Sequence, residues 1–335
     1  MRILVVTNRN SGVGYHRLML PVYYMEKEFA FFTDIINDEI LSENYDILLI
    51  NRYIHNVELT QILEYKRKYN FKLIVDIDDY WNLDPWHILY NFYPTQKVIE
   101  HIKAADIVTC TNSLLYKEIL PLNKTVYILP NALPYGKDQF TDIKTNNDKT
   151  TIVYTGSITH SKDIELLKYP AKKIYSDKLL KDKTKFVICG YEEGNEYSKY
   201  YWQKMVTDFT YSFKLNSVIK KSLPVDQYMN FYNDADISLV PLVASKFNSM
   251  KSNLKVLEAA AKKIPAIASN VQPYTGNKII PINNQSDWYK AIKKTVNDEN
   301  YRIDKGLENY EYCNANYNLF KINIERKQIF DYASN

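Results

Sequence analysis

Short apolar runs recur along this chain, separated by helix-like stretches, and that rhythm constrains the fold more than any other feature. Arg2–Thr7 (RILVVT) shows no polar alternation, the mark of a strand covered on both faces of its sheet. Phe29–Ile35, Asp46–Asn51 (DILLIN), Lys72–Asp76 (KLIVD), Asp106–Cys110 (DIVTC) and Thr125–Leu129 (TVYIL) are similar. Val57–Tyr69 and Thr95–Ala105 lie among them as helix-like segments. Strand alternating with helix predicts a parallel sheet with helices on both sides.

Residues 134–150 (PYGKDQFTDIKTNNDKT) break the pattern, being polar and without an apolar period. The alternation then restarts at Thr151–Thr155, Lys185–Cys189, Asp236–Val240 and Pro265–Ala268, with helices expected at Leu254–Lys263, Trp288–Val296 and from Tyr317 onward. The 335 residues give room for two domains at roughly 150 residues each. The expected architecture is α/β, with two Rossmann-like, doubly wound parallel sheets. Residues 1–135 form the first, 136–150 the linker, 151–316 the second and 317–335 a final helix. Ligands of such sheets bind beyond the carboxyl ends of the strands, so tandem copies face each other across a cleft.

Composition narrows the class. With 46% hydrophobic and 24% charged residues the bulk of the chain is not disordered. No apolar run approaches the roughly 18 residues of a spanning helix. The opening MRILVVTNRN reads as a strand rather than a secretory leader. Cys110, Cys189 and Cys313 lack metal-like spacing and make an odd count, so neither a zinc site nor a disulfide framework is expected and a reducing cytoplasm fits. Residues 1–150 hold 16 Lys/Arg against 19 Asp/Glu, and residues 151–335 hold 27 against 20. The one dense basic run, Lys162–Lys185, reads as a solvated helix face rather than a nucleic-acid footprint.

Four stretches carry chemistry. After the first strand comes NRNSGVGYHR, where Gly12 and Gly14 permit a tight turn and close backbone approach, with His16 and Arg17 as contacts. The third glycine of a dinucleotide fingerprint is absent, and an ordinary strand–helix turn is the plain alternative. The fourth strand ends in Asp76-Ile77-Asp78-Asp79-Tyr80-Trp81. Carboxylates this close repel and want a metal, a cation or hydroxyl donors. Trp81 and the aromatics after it suit a sugar face, and equally a core. The second half opens with TGSITHSKD, where Gly156, Ser157 and Lys162 make an anion-binding arrangement, and Gly190 later lets a planar base approach the backbone. Last, a polar loop with Lys251, Ser252 and Asn253 leads into a helix from Leu254, whose free amides, capped by Ser252 or Asn253, attract a diphosphate; Glu258, one turn in, suits ribose hydroxyls.

At these residues the chain resembles a GT-B glycosyltransferase, closest to the retaining family 4 (group 1) type. TGSITHSKD (155–163), NSMKSNLKVLEAAAKKIPAIAS (248–269) and Pro130-Asn131-Ala132 carry the likeness, which covers nearly the whole length. The resemblance implies a GT-B fold, a UDP- or GDP-sugar as donor and a hydroxyl of a saccharide, glycolipid or modified nucleic acid as acceptor. It implies Glu258 at the ribose, the amides of Ser252–Leu254 at the diphosphate or donor sugar, Lys162 at the phosphates and Gly14 near donor and acceptor. The final helix crosses back to the first domain, no metal or cofactor is required, and peripheral membrane contact is compatible.

The chain departs from that pattern in three places. Met250 stands where the family has the first of two glutamates, Ser157 where it commonly has Arg, and Asp76–Asp79 where it often has a His. In a retaining enzyme the leaving phosphate deprotonates the acceptor; in an inverting one Asp78 or Asp79 is the expected base. GVGYHR and DIDDYW also resemble glycosyltransferases of phages and surface-polysaccharide clusters. Other readings on this fold are a phage-type DNA glycosyltransferase acting on a hydroxymethylated base, a sugar-nucleotide epimerase, a phosphorylase and a non-catalytic sugar-nucleotide-binding protein.

Overall fold

The structure is a computed structural model that describes residues 1–26, 30–145, 147–192 and 194–334. The first residue of the expected strand Phe29–Ile35, linker residue Asn146 and the terminal Asn335 lie outside the described residues.

Six strands form the first sheet: β1 (Ile3–Val6), β2 (Ala30–Thr33), β3 (Ile47–Asn51), β4 (Lys72–Ile77), β5 (Ile107–Cys110) and β6 (Val126–Ile128), in the order β2-β1-β3-β4-β5-β6. Another six form the second: β7 (Thr150–Thr155), β8 (Thr184–Tyr191), β9 (Ser217–Lys221), β10 (Ile237–Val240), β11 (Ala266–Ser269) and β12 (Ile280–Ile282), in the order β12-β11-β10-β7-β8-β9. Every pairing is parallel. The strand order reverses beside β1 in one sheet and beside β7 in the other, and a crevice opens at such a reversal.

The apolar runs form strands because each is buried on both faces: β1, β5, β10 and β11 are buried throughout. The sequence pattern does not announce β9 and β12. They are edge strands, β9 largely exposed and β12 only three residues long around Pro281, so neither presents a continuous apolar run. Nor does it announce the helix Glu299–Asn316, which buries only Gly306, Asn309 and Cys313, too narrow a stripe to read.

The last helix, Leu319–Ser334, returns to the first sheet. Phe330 and Ala333 pack with Ile3, Val5 and Leu18, and Asn323 donates to the Pro21 carbonyl at 2.9 Å. The domains also meet directly. Phe247 and Met250, from the segment before the helix Leu254–Ala261, bury in the first domain's core beside Tyr80 and Trp81. Asn112 Nδ2 donates to the Met250 carbonyl at 2.8 Å and Asn131 Nδ2 to Ser252 Oγ at 2.6 Å. Thus Met250, at the place of the family's first glutamate, is an apolar anchor between domains.

Candidate active site

A cleft of about 400 Å³ lies between the carboxyl ends of the two sheets. From the first domain it takes Asn10–Val13, His16, Arg17, Asp78, Asp79 and Asn131. From the second it takes Gly156, Ser157, His160, Gly190, Lys251, Ser252, Leu254, Lys255 and Glu258, with Leu223, Val225 and Tyr228 along one wall. Gly14, Trp81, Lys162 and Asn253 are not among its lining residues.

The glycine loop is built for backbone packing. Ser11 Oγ accepts from the Gly14 amide at 3.3 Å, and a side chain on Gly14 would collide with Thr7 Oγ1. Tyr15–Met19 then winds as a π-helical turn that buries His16 and Arg17. Arg17 reaches the cleft wall with its donors already engaged. It makes a bidentate pair with Asp76 at 3.0 and 2.7 Å and bonds the Leu129 carbonyl at 2.8 Å and Asn131 Oδ1 at 3.1 Å. Thr109 Oγ1 adds a bond of 2.6 Å to Asp76. Arg17 therefore fastens the loop after β1 to β4 and to the end of β6.

The carboxylates at the end of β4 find guanidinium partners. Arg52, held at φ +58° where β3 ends, donates to both oxygens of Asp78 at 2.7 and 2.6 Å, and Asn51 Nδ2 adds a third bond at 3.0 Å. Burial opposes the charge of Asp78, yet Arg52 holds its carboxyl below the usual range. So engaged, Asp78 is a poor base, a departure from its expected catalytic role. Asp79 sits 3.6 Å from Arg52 and 3.5 Å from Lys251, an ion pair spanning the domains. Trp81 packs in the core and offers no sugar platform.

On the second domain Gly190 adopts φ +96°, and a side chain there would strike the Gly156 carbonyl. Gly190 needs glycine because its strand end closes on Gly156, whereas a side chain on Gly156 would meet Tyr154 Oη and Lys255 Nζ; both glycines line the cleft. Glu258 is 2% exposed and accepts from Tyr232 Oη at 2.8 Å; Tyr232 in turn meets Thr155 Oγ1 at 2.8 Å. Burial raises the Glu258 carboxyl to about 7 and lowers Lys255, which sits over the Tyr154 ring at 4.7 Å, to about 8. His16 faces Glu258 at 3.9 Å; burial lowers it to about 4, so it is a neutral, weakly basic imidazole. The site thus holds a carboxylate and an ammonium both drawn toward neutrality, ready for groups of opposite demand.

The helix Leu254–Ala261 has no side-chain cap. Neither expected cap bonds a helix amide: Ser252 Oγ accepts from Asn131 Nδ2 at 2.6 Å, and Asn253 is turned so that its Nδ2 donates to Asn277 Oδ1 at 2.8 Å. The helix start therefore carries no side-chain cap where Leu254, Lys251 and Lys255 line the cleft. Lys162 is instead exposed and paired with Glu165 at 2.6 Å. The second lysine lining the cleft beside Lys251 is Lys255, which sequence reasoning passed over. Its spacing of three from Glu258 puts both on one helix face, a legible signal. Arg52 left no such signal, since its direction is set by a left-handed backbone that the sequence does not mark.

Residues 149–298 match the family model Glycosyl transferases group 1. No curated protein matches the chain by sequence. Among solved structures it is similar to Anabaena Alr3699/HepE in complex with UDP and glucose, at 10% identity and TM-score 0.68, covering 99% of this chain and 100% of that one. Trehalose-6-phosphate synthase OtsA aligns at 10% identity and TM-score 0.71, with 99% of each chain covered. S. aureus TarM in complex with Fondaparinux, alpha-GlcNAc-glycerol and UDP aligns at 15% identity and TM-score 0.61 over 93% of this chain, which spans 58% of TarM. The family match thus lies within the second half of the chain, and the chain as a whole shares the GT-B fold of these structures.

Proposed function

We propose that this chain transfers a sugar from a nucleotide diphosphate sugar, with UDP as the carrier, to an acceptor hydroxyl presented from the first domain. The observation that carries this reading is the helix Leu254–Ala261, whose uncapped start, flanked by Lys251 and Lys255, lies one turn from buried Glu258 in the interdomain cleft. Glu258 takes the ribose hydroxyls. The cleft wall at Gly156 and Gly190 takes the base. The lysines and helix amides take the diphosphate. HepE and TarM were solved with UDP, which favours uridine over guanosine.

The bond from the anomeric carbon to the diphosphate oxygen breaks as the acceptor oxygen bonds to that carbon. Retention is favoured because both carboxylates on the acceptor side are engaged, Asp78 by Arg52 and Asn51, Asp79 by Arg52 and Lys251. The acceptor proton then passes to the departing diphosphate. Lys251, Lys255 and the helix start stabilise its charge, and the closed domains keep water from the donor.

UDP affinity should be greatest between pH 7 and 8. Below about 7 Glu258 is protonated and loses its strength as a ribose acceptor; above about 8 Lys255 loses its charge. Uridine, which has no phosphate, should show the acid limb alone. Glu258→Gln should flatten that limb, and Lys255→Met the alkaline one. Calorimetric titrations from about pH 6 to 9, spanning both groups, check this, and a flat profile for wild type contradicts it.

A further inference from the structure

His160 lines the cleft beside Gly156 and Ser157, and one side of its ring is fixed. Nδ1 lies 2.8 Å from Asp163 Oδ2. Asp163 is 1% exposed, and its other oxygen accepts from the Val243 amide at 2.8 Å and from Asn248 Nδ2 at 3.3 Å. A carboxylate can only accept, so the imidazole donates Nδ1–H to it and Nε2 keeps a lone pair. Burial, with Lys255 and Lys251 nearby, lowers His160 to about 3, so the ring is neutral near pH 7. Among the described residues no hydrogen bond reaches Nε2.

A lone pair facing a diphosphate oxygen is repulsive, and the phosphates already have Lys251, Lys255 and the helix amides. Sugar hydroxyls, in contrast, need acceptors. Met250 is buried in the first domain's core, Glu258 is given to the ribose in the reading above, and Asp78 and Asp79 are tied to cations. Resting on the donor assignment above, we propose that His160, oriented by Asp163, accepts a hydrogen bond from a hydroxyl of the donor sugar and so helps select it. Asp163 is the positioning residue of the pair.

The test is calorimetry with UDP and with whichever of UDP-glucose, UDP-galactose and UDP-N-acetylglucosamine the wild type binds most tightly. His160→Ala should weaken the UDP-sugar about tenfold, the value of one hydrogen bond, and leave UDP within about twofold. His160→Gln, which restores an acceptor, should recover part of the loss. Asp163→Asn should reproduce the selective loss, because an amide no longer fixes the ring; a purely structural role would weaken both ligands together. Equal losses for UDP and UDP-sugar, or no loss in His160→Ala, overturn the proposal while leaving the donor site intact. A wild type that binds none of these nucleotides overturns the donor assignment itself.

Discussion

Arg17→Ala is expected to destabilise the chain by about 3–5 kcal/mol, the cost of leaving one member of a buried ion pair alone. Arg17 and Asp76 are 4% and 2% exposed, so their bidentate contact is shut off from solvent. Without the guanidinium, the side-chain donors left to Asp76 among the described residues are Thr109 and Asn51. The loop after β1 also loses its ties to Leu129 and Asn131. Denaturant unfolding measures the effect. A loss under about 1 kcal/mol would mean that water enters and solvates Asp76.

Lys255→Met is expected to weaken UDP about a hundredfold and to leave uridine within about threefold. Lys255 is an ammonium in a low-dielectric site, where two charge-assisted hydrogen bonds to a diphosphate supply roughly 3 kcal/mol. Methionine keeps the packing over Tyr154, so the fold is preserved. Lys162→Ala should leave UDP affinity within about twofold, because its ammonium lies outside the cleft lining and pairs with Glu165. Calorimetry on folded variants decides the matter. If Lys162 matters and Lys255 does not, the phosphate site has been placed on the wrong side of the loop Gly156–His160.

The sheets were legible because their strands are buried on both faces and appear as unbroken apolar runs, as in DILLIN and KLIVD. Edge strands obey a different rule, and β9, with SVIKK half in solvent, carries no such mark. In the second domain, the places of Glu258, Lys251 and the glycines at 156 and 190 on the cleft follow from local order: strand, turn, helix. The first-domain side depends on partners far apart in sequence. Nothing near Asp78 in the chain reveals that Arg52 will engage it, nor that Arg17 will engage Asp76, so carboxylates that look free as a sequence are bound as a structure. Lys162 failed for a related reason: a proper spacing from the glycine does not fix which way a side chain leaves a short helical turn.

The central claim is that the cleft cleaves a nucleotide diphosphate sugar while Glu258 holds the ribose. The direct measurement is nucleotide diphosphate release from UDP- and GDP-sugars, with and without a mixture of saccharide acceptors, in wild type and Glu258→Ala. The account predicts UDP release from one UDP-sugar, faster with acceptor present, and at least about tenfold slower at low donor concentration in the variant. Donor consumed without diphosphate release, or equal rates in wild type and Glu258→Ala, would contradict it.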